Sequence, residues 1–420
     1  MKVKIYRGTK EIGGNCIELT ADNGKVLWID IGAPLNTINP DVSYSKNKVD
    51  AVLISHPHQD HYGLMGNIDP SVPIYVGSVT YDLIAATRIF RGIPPPTGNL
   101  KKFNAWEWIP DSDPFKVYPY LVDHSSSEAF AFLIEVDGKH IFYTGDFRST
   151  GWKRKLYYKL LADPPKGKVI DLFLTEGTMS ERIDPPDYPT EMSVYKAINA
   201  IVCNQQNTTF VVSAGQNIDR LVSVVKACNA NKKTLIIDVY TAWVLDMVHK
   251  KSPKLPTIDW GVIKVYNDKN QLRKIGGSEY DAFRGRVIGN DIEDRVYHNP
   301  QEYVYFLRCP NPELVKVLCR IAKRKVNIIY SQWKGYFEGV HKTYCADIIE
   351  GLVNSGFADL KHIHTSGHAN LFAIKRLAEA VISKKIVPIH TEYPVELKRE
   401  FEKDGFTNIE LWDDGIEYQL

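Results

Sequence analysis

Three histidines and one aspartate that could bind metal lie close together, at His56, His58, Asp60 and His61. They follow an apolar run, residues 49–54, that is typical of a buried strand. Side chains two positions apart point the same way in an extended backbone, so the first two histidines can bind one ion. The aspartate and the third histidine follow the turn and can reach a second ion. Imidazole and carboxylate together favour Zn or Mn over Ca, so the segment predicts a metal centre rather than a polar surface loop.

Four further His or Asp residues stand directly after apolar runs elsewhere in the chain, at Asp30, His124, Asp146 and His390. The carboxyl ends of strands are where open sheets place functional groups. Any one of these residues taken alone would more often belong to a turn or a cap. Together with the histidine cluster they form a set large enough for two metal ions.

The elements that must position these side chains change character along the chain. Short strand-like runs fill the first part, and a Pro-rich stretch, Asp184–Pro189, is typical of a linker. Beyond it, strand-like and helical runs alternate as far as Val326–Tyr330, which predicts a parallel sheet flanked by helices. The last part returns to a strand at Leu360–His364, a helix at Leu371–Ser383 and a strand at Ile386–Ile389.

Length and composition indicate a globular protein with two domains, or with one domain that carries a large insert. The chain has 420 residues, of which 24% are charged and 44% hydrophobic. No apolar run approaches the length of a membrane span, and the chain opens on a strand-like pattern, so neither a signal peptide nor a membrane helix is predicted. The six cysteines are scattered, which favours reduced thiols and a cytoplasmic location.

Charge is unevenly distributed along the chain, although the net charge is only +2. Residues 201–345 carry 22 Lys and Arg against 13 Asp and Glu, whereas the rest of the chain carries 30 against 37. Acidic ends suit metal binding, and a basic middle suits a polyanionic partner. The alternative for the middle segment is ordinary solvated charge on helix faces.

The ordered metal-type residues resemble the motifs of the metallo-β-lactamase fold, with Asp30-Ile31-Gly32 as the first motif. The long insert is similar to that of the beta-CASP nucleases, and of ribonuclease J most closely. The segments that carry this second resemblance are Thr175–Thr178, Ser213–Arg220, His364–Ala369 and Pro388–Glu392.

The resemblance implies an α/β fold: a metallo-β-lactamase αββα sandwich with an inserted beta-CASP α/β domain, whose parallel sheet is flanked by helices. It divides the chain into the first part of the metallo-β-lactamase domain (1–190), the beta-CASP cap (191–345) and the part that completes the first domain (346–420).

The resemblance also implies two divalent ions per chain, Zn or Mn. His56, His58 and His124 would bind the first ion. Asp60, His61 and His390 would bind the second, with Asp146 bridging the two and Asp60 also orienting the attacking hydroxide.

Further residues would serve the substrate or support the ligands. Asp30 and Glu176 would support the ligands by hydrogen bonds. His368 would stabilise or protonate the leaving oxygen. Before the predicted helix, a loop would bind the substrate phosphate through His364, Ser366, Gly367 and His368.

The implied activity is hydrolysis of RNA, as a 5′-to-3′ exonuclease that prefers 5′-monophosphate ends and has possible endonuclease activity. His390 at the third beta-CASP motif points to RNA rather than DNA. Single-stranded RNA with an accessible 5′ end is the expected partner, and no membrane is expected. The chain ends about 30 residues after His390, so the usual C-terminal dimerisation domain is expected to be absent and the oligomeric state stays open.

Three alternatives remain open from the sequence. The first is an RNA endonuclease of the mRNA 3′-end-processing type, which shares the metal motifs. The second is a small-molecule hydrolase of the same fold, against which the basic insert argues. The third is an RNA-binding platform without activity, against which the complete ligand set argues.

Overall fold

The computed structural model describes residues 1–35, 40–181, 187–266, 268–276, 281–288 and 293–420. It divides the chain into two compact units. Unit 1 comprises Met1–Ile84, Pro96–Pro185 and Gly367–Leu420. Unit 2 comprises Ala85–Pro95 and Pro186–Ser366.

The first part of the chain is rich in strands, as predicted. Its elements are β1 (Lys2–Arg7), β2 (Cys16–Thr20), β3 (Val26–Ile29), β4 (Ala51–Ile54), α1 (Gln59–Tyr62), β5 (Ile74–Gly77), α2 (Ser78–Phe90), β6 (Leu100–Phe103), β7 (Lys116–Leu121), β8 (Phe130–Val136), β9 (Lys139–Tyr143), α3 (Lys155–Ala162) and β10 (Leu172–Glu176).

The middle of the chain alternates strands and helices. Its elements are α4 (Glu191–Asn204), β11 (Thr209–Val212), α5 (Ile218–Ala230), β12 (Thr234–Ile237), α6 (Val239–Lys251), β13 (Ile263–Val265), α7 (Lys269–Lys274), α8 (Asp281–Ile288), α9 (Glu293–Val296), β14 (Tyr303–Leu307), α10 (Pro312–Ala322), β15 (Val326–Tyr330), α11 (Tyr344–Asn354) and β16 (Ala358–His362). The chain closes with α12 (Leu371–Ala380), β17 (Ile386–Ile389), α13 (Pro394–Lys403) and β18 (Glu417–Gln419).

Unit 1 contains two sheets that face each other. The first has the order β18-β1-β2-β3-β4-β5-β6, and the second has the order β17-β10-β9-β8-β7. Strand β8 is apolar at nearly every position because both of its faces are buried. Phe130, Phe132 and Ile134 point into the core between the sheets, whereas Ala131 and Leu133 pack on the outer face.

Helices cover the outer faces of both sheets. Tyr157 of α3, Leu377 of α12 and Phe401 of α13 pack against the second sheet. Tyr62 of α1 and Ile84 of α2 pack against the first. The layers are therefore helix, sheet, sheet and helix, and the predicted αββα sandwich is confirmed.

Unit 2 is built on one parallel sheet with the order β13-β12-β14-β11-β15-β16. Helices α10 and α11 pack on one face through Val315, Leu318, Ile349 and Leu352. The predicted parallel βαβ arrangement is confirmed, since every strand pair of this sheet is parallel and helices join the strands.

The predicted domain boundary at residue 345 differs from the structure. Strand β16 pairs with β15 in parallel register, Val326 opposite Ala358, so residues up to Ser366 belong to unit 2 rather than to the completing part. Of the predicted Pro-rich linker, Asp184–Pro189, the first three residues lie outside the described residues. Among the described residues, no helix is long and apolar enough to cross a membrane.

Candidate metal centre

The metal-type residues of unit 1 stand where its strands end. His56 and His58 follow β4, and Asp60 and His61 lie in the single turn α1. The other three follow β7, β9 and β17 at His124, Asp146 and His390. The strands of two facing sheets thus deliver seven side chains to one place, and all seven belong to unit 1.

The first group of candidate ligands joins His56, His58, His124 and Asp146, whose ligand atoms all lie within 4.8 Å of one another. Nε2 of His124 lies 3.2 Å from Nδ1 of His58. Nε2 of His56 lies 3.5 Å from Oδ2 of Asp146. Four donor atoms at this spacing can surround one cation.

The second group joins Asp60, His61 and His390. Oδ2 of Asp60 lies 3.9 Å from Nε2 of His61 and 3.7 Å from Nε2 of His390. Oδ2 of Asp146 is 3.4 Å from His61 Nε2 and 3.8 Å from His390 Nε2. Asp146 therefore lies within reach of both groups, which is the position of a bridging ligand.

Hydrogen bonds to the outer ring nitrogens aim three histidines at this place. Nδ1 of His61 lies 2.7 Å from Oδ2 of Asp30, and Nδ1 of His124 lies 2.7 Å from the carbonyl oxygen of Gly367. Nδ1 of His390 lies 3.1 Å from Oδ1 of Asn15. At His61 and His124, an oxygen acceptor draws the ring proton to Nδ1, which leaves the Nε2 lone pair facing the centre. At His390, Nδ1 also accepts from the backbone N–H of Gly13 at 3.2 Å, so these contacts hold the ring in place without fixing its proton.

The inward-facing atoms have the properties that a cation requires. Within the described residues, Nε2 of His56, His61 and His390 and both carboxylate oxygens of Asp146 are buried without a hydrogen-bond partner. Buried polar atoms without a partner are costly, and a cation would satisfy all five. The donor set of imidazole and carboxylate fits Zn or Mn.

Electrostatics keeps His56, His58, His124 and Asp146 in the states that ligands need. Burial, together with the neighbouring histidines, holds the pKa of His56 and His124 well below the ordinary value. Burial likewise lowers the pKa of His58 to about 4. Burial alone would raise the pKa of Asp146, but His390 and the other nearby histidines hold it well below the usual range. At His61, burial lowers the pKa, but Asp146, Asp30 and Asp60 outweigh it and raise that pKa above its ordinary value.

Comparison with known proteins shows what this chain is similar to. Residues 28–187 match the model of the beta-lactamase superfamily domain. Ribonuclease J of Mycoplasma pneumoniae is 22% identical over 93% of this chain and 68% of its own length. An RNase J-like protein of Methanocaldococcus jannaschii is 25% identical over 65% of this chain and 66% of its own. Ribonuclease J of Sinorhizobium meliloti is 25% identical over 85% of this chain and 61% of its own.

A crystal structure of a protein of unknown function from Enterococcus faecalis has the same fold. It covers 100% of this chain at a TM-score of 0.75 and 18% identity. Residues 28–187 of the chain are thus similar to the beta-lactamase superfamily domain. The chain resembles ribonuclease J proteins along most of its length. It spans about two thirds or less of the length of those relatives.

Asp30 holds the loop of candidate ligands after β4 in place. Its Oδ1 accepts from the backbone N–H of Ser55 at 2.8 Å, and its Oδ2 accepts from the Ser55 hydroxyl at 2.8 Å. Oδ2 also faces His61, and it accepts from the hydroxyl of Tyr143 at 2.6 Å. The contacts are those expected of a residue that orients a ligand and does not bind metal itself.

Glu176 performs a similar task at the end of β10. Its Oε1 accepts from the backbone N–H of Phe147 at 2.8 Å, next to Asp146. Its Oε2 lies 3.0 Å from Nδ1 of His368, which in turn lies 3.6 Å from Oδ2 of Asp146. Burial lowers the pKa of His368, but Glu176 and Asp146 outweigh it and raise that pKa to about 9. His368 therefore carries a proton at neutral pH next to the metal-type cluster.

The residues predicted to bind phosphate fall on both sides of the boundary between the units. His364 and Ser366 belong to unit 2, and Gly367 and His368 belong to unit 1. Helix α12 is capped by Asn370, whose side chain accepts from the N–H of Ala373. Ser366, four residues before Asn370, therefore does not cap this helix.

Sequence reasoning did not find four groups that orient the ligands: Asn15, Ser55, Tyr143 and the carbonyl of Gly367. Tyr143 looks like one more residue of an apolar strand, and Asn15 precedes β2 by one position. Each acts on a residue far away in sequence, for example Asn15 on His390. Only the position of Ser55, at the edge of the histidine cluster, offered a local signal.

Proposed function

We propose that this protein is a metal-dependent ribonuclease that hydrolyses RNA phosphodiester bonds. The observation that carries the proposal is the shared position of Asp146 between two groups of buried ligand atoms, which is the arrangement of a two-metal hydrolase. The names of the relatives, ribonuclease J, support RNA as the substrate class.

The chain's own residues would divide the work of hydrolysis. His56, His58 and His124 would hold one Zn or Mn ion, and Asp60, His61 and His390 would hold the other, with Asp146 shared. Bound ions would supply an activated water and neutralise charge on the phosphoryl oxygens. Asp60 would accept a hydrogen bond from the attacking water and orient it.

His368 would donate the proton to the leaving oxygen. Its pKa of about 9 keeps the imidazole protonated at neutral pH. Glu176, 3.0 Å from Nδ1, fixes the ring and stabilises the charged form. Proton donation from a positioned side chain contributes roughly 10²–10⁴-fold to such reactions.

The finer part of the proposal concerns the RNA end. His364, Ser366, Gly367 and His368 would bind the 5′-terminal phosphate, so that the enzyme removes nucleotides from 5′-monophosphate ends. The ring of His364 is anchored by Nδ1, 3.2 Å from the carbonyl oxygen of Ser331. The surplus of Lys and Arg in residues 201–345 would attract the RNA backbone. A beta-CASP identity for unit 2, residues 186–366, and a cytoplasmic location belong to the same proposal.

One experiment separates this activity from its alternatives. Purified protein with Zn or Mn is given 5′-monophosphate, 5′-triphosphate and circular RNA of one sequence, and the products are sized. Mononucleotides from the monophosphate form alone are expected. Internal cuts in the circle would instead show an endonuclease. No cleavage of any RNA would overturn the proposal and leave a small-molecule hydrolase or an RNA-binding protein.

The matched variants are His58→Ala and His140→Ala. His58 belongs to the first ligand group, whereas His140 lies in β9 of the same unit and faces Glu135 at 3.8 Å. Activity should disappear in the first variant and persist in the second. Equal activity in both would contradict the assignment of the catalytic centre.

A further inference from the structure

Two half-exposed thiols, Cys309 and Cys345, line one cavity of unit 2. Cys309 follows strand β14 by two residues, and Cys345 is the second residue of helix α11. The cavity has a volume of about 720 Å³ and is also lined by Arg308, Tyr305 and Tyr344. Neither the proposed metal centre nor the proposed phosphate loop uses any of these residues.

The two thiols lie on neighbouring stretches of the cavity wall. Sγ of Cys345 lies 3.5 Å from the carbonyl oxygen of Arg308, the residue before Cys309, and both cysteines line the cavity. Both cysteines are free thiols in the structure. Two chain segments 36 residues apart in sequence therefore bring their thiols together at the wall of an open cavity.

The two thiols are unequal. The neighbouring Cys345 lowers the pKa of Cys309, although partial burial acts in the opposite direction. The neighbouring Cys309, with burial, raises the pKa of Cys345. Thiolates rather than thiols attack oxidants and disulfides. Cys309 is therefore the nucleophile of the pair, and Cys345 is the partner that keeps its proton.

We propose that Cys309 and Cys345 form a reversible redox pair that is converted to a disulfide by hydrogen peroxide. The Cys309 thiolate attacks one peroxide oxygen, the O–O bond breaks, and a sulfenic acid and hydroxide form. The Cys345 sulfur then attacks the sulfenic sulfur, the S–O bond breaks, and the S–S bond forms with release of water. The two thiols are oxidised by two electrons, and peroxide is reduced to water.

The other four cysteines are either buried or lie outside this cavity. Cys16 and Cys228 are buried, and burial raises the pKa of both. Cys203 is exposed, and Cys319 is half-exposed like the pair. The last two are the matched controls, because they are accessible to reagents and lie outside the thiol pair.

The test titrates the full-length protein with hydrogen peroxide, blocks the remaining thiols and measures the intact mass and the peptides without reductant. The expected result is loss of two free thiols, a mass lower by about 2 Da, and one cross-linked peptide joining Cys309 to Cys345. Dithiothreitol should restore the starting mass. Cys203→Ser should oxidise in the same way, which serves as the positive control.

Single substitutions of the pair distinguish the two roles. Cys345→Ser should accumulate a sulfenic acid at Cys309 that dimedone traps, and Cys309→Ser should form neither the cross-link nor a dimedone adduct at Cys345. Circular dichroism of both serine variants checks that they are folded. Dimedone labelling of Cys319 before Cys309, or a wild-type protein whose thiols all survive peroxide, would overturn the proposal. The outcome is independent of metal binding and of activity on RNA.

Discussion

Buried charged side chains differ between the two units in the number of their hydrogen-bond partners. In unit 2, the Arg220 guanidinium is fully buried and contacts Glu191 at 3.0 Å, the carbonyl and hydroxyl of Ser331, and the carbonyl of Thr365. In unit 1, Asp146 is just as buried, but within the described residues neither of its carboxylate oxygens has a hydrogen-bond partner.

The difference separates a structural site from a functional one. A buried charge with a complete set of partners holds elements together, and breaking it costs stability. A buried charge whose neighbours are the bare nitrogens of His56, His61 and His390 is arranged for a ligand that the polypeptide does not supply. Substitutions at the two places should therefore change different quantities.

The largest effect is expected at Asp146. Asp146→Asn removes a charge that both ligand groups share, so cleavage of RNA should fall by roughly a thousandfold or more. The variant should keep the circular dichroism spectrum of the parent, because the amide is almost isosteric with the carboxylate. Initial rates on labelled RNA measure the effect, and cleavage within tenfold of wild type would contradict it.

Arg220→Ala should act on stability instead. It leaves Glu191 buried without its cation, and breaking a buried pair in this way costs about 3–5 kcal/mol. Chemical denaturation followed by fluorescence gives the free energy of unfolding. Arg320→Ala, on the exposed side of α10, is the control and should change it by less than about 0.5 kcal/mol. Similar values for the two variants would mean that the Arg220 network is not structural.

Asp30 lies between these two cases, since it is buried with all its partners yet touches a candidate ligand. Asp30→Asn should lower metal affinity about 10–100-fold, because the carboxylate orients His61. A competition titration with a metal chelator measures that affinity. Tyr143→Phe, which removes one hydrogen bond to Asp30, should also lower metal affinity, but by a smaller factor.

The smallest contrast concerns Ser366 and Asn370. Ser366→Ala should reduce the preference for 5′-monophosphate ends by roughly ten- to a hundredfold, because one charge-assisted hydrogen bond contributes about 1.5–3 kcal/mol. Asn370→Ala removes the cap of α12 and should cost about 1 kcal/mol of stability without changing that preference. Cleavage rates on paired 5′-monophosphate and 5′-triphosphate RNA measure the preference. Retention of the preference in Ser366→Ala would remove this residue from the phosphate site.

Ligand positions could be predicted from the sequence because each follows an apolar run that a local pattern reveals. His58 and Asp60 are separated by one residue, and the turn α1 places them in different ligand groups as expected. The alternation of strand-like and helical runs likewise predicted the parallel sheet, whereas the sandwich was implied by the resemblance to the metallo-β-lactamase fold. These patterns involve residues that are close together in the chain, so they can be recognised in a single sequence.

Features that depend on long-range packing could not be predicted in this way. Helix α4 was not expected after the Pro-rich stretch, although Thr190 caps it through a hydrogen bond from the N–H of Ser193. Strand β16 belongs to unit 2 because it pairs with β15, a choice that its exposed, polar sequence does not indicate. The contact of Tyr143 with Asp30 joins residues 113 positions apart.

The central claim is that Asp146 is shared between two metal ions. Metal analysis by mass spectrometry after dialysis against Zn or Mn tests it most directly, with wild-type, Asp146→Asn and His140→Ala proteins side by side. Two ions per chain are expected in wild type and in His140→Ala, and fewer than two in Asp146→Asn. Two ions retained in Asp146→Asn, or none bound by wild type, would contradict the account.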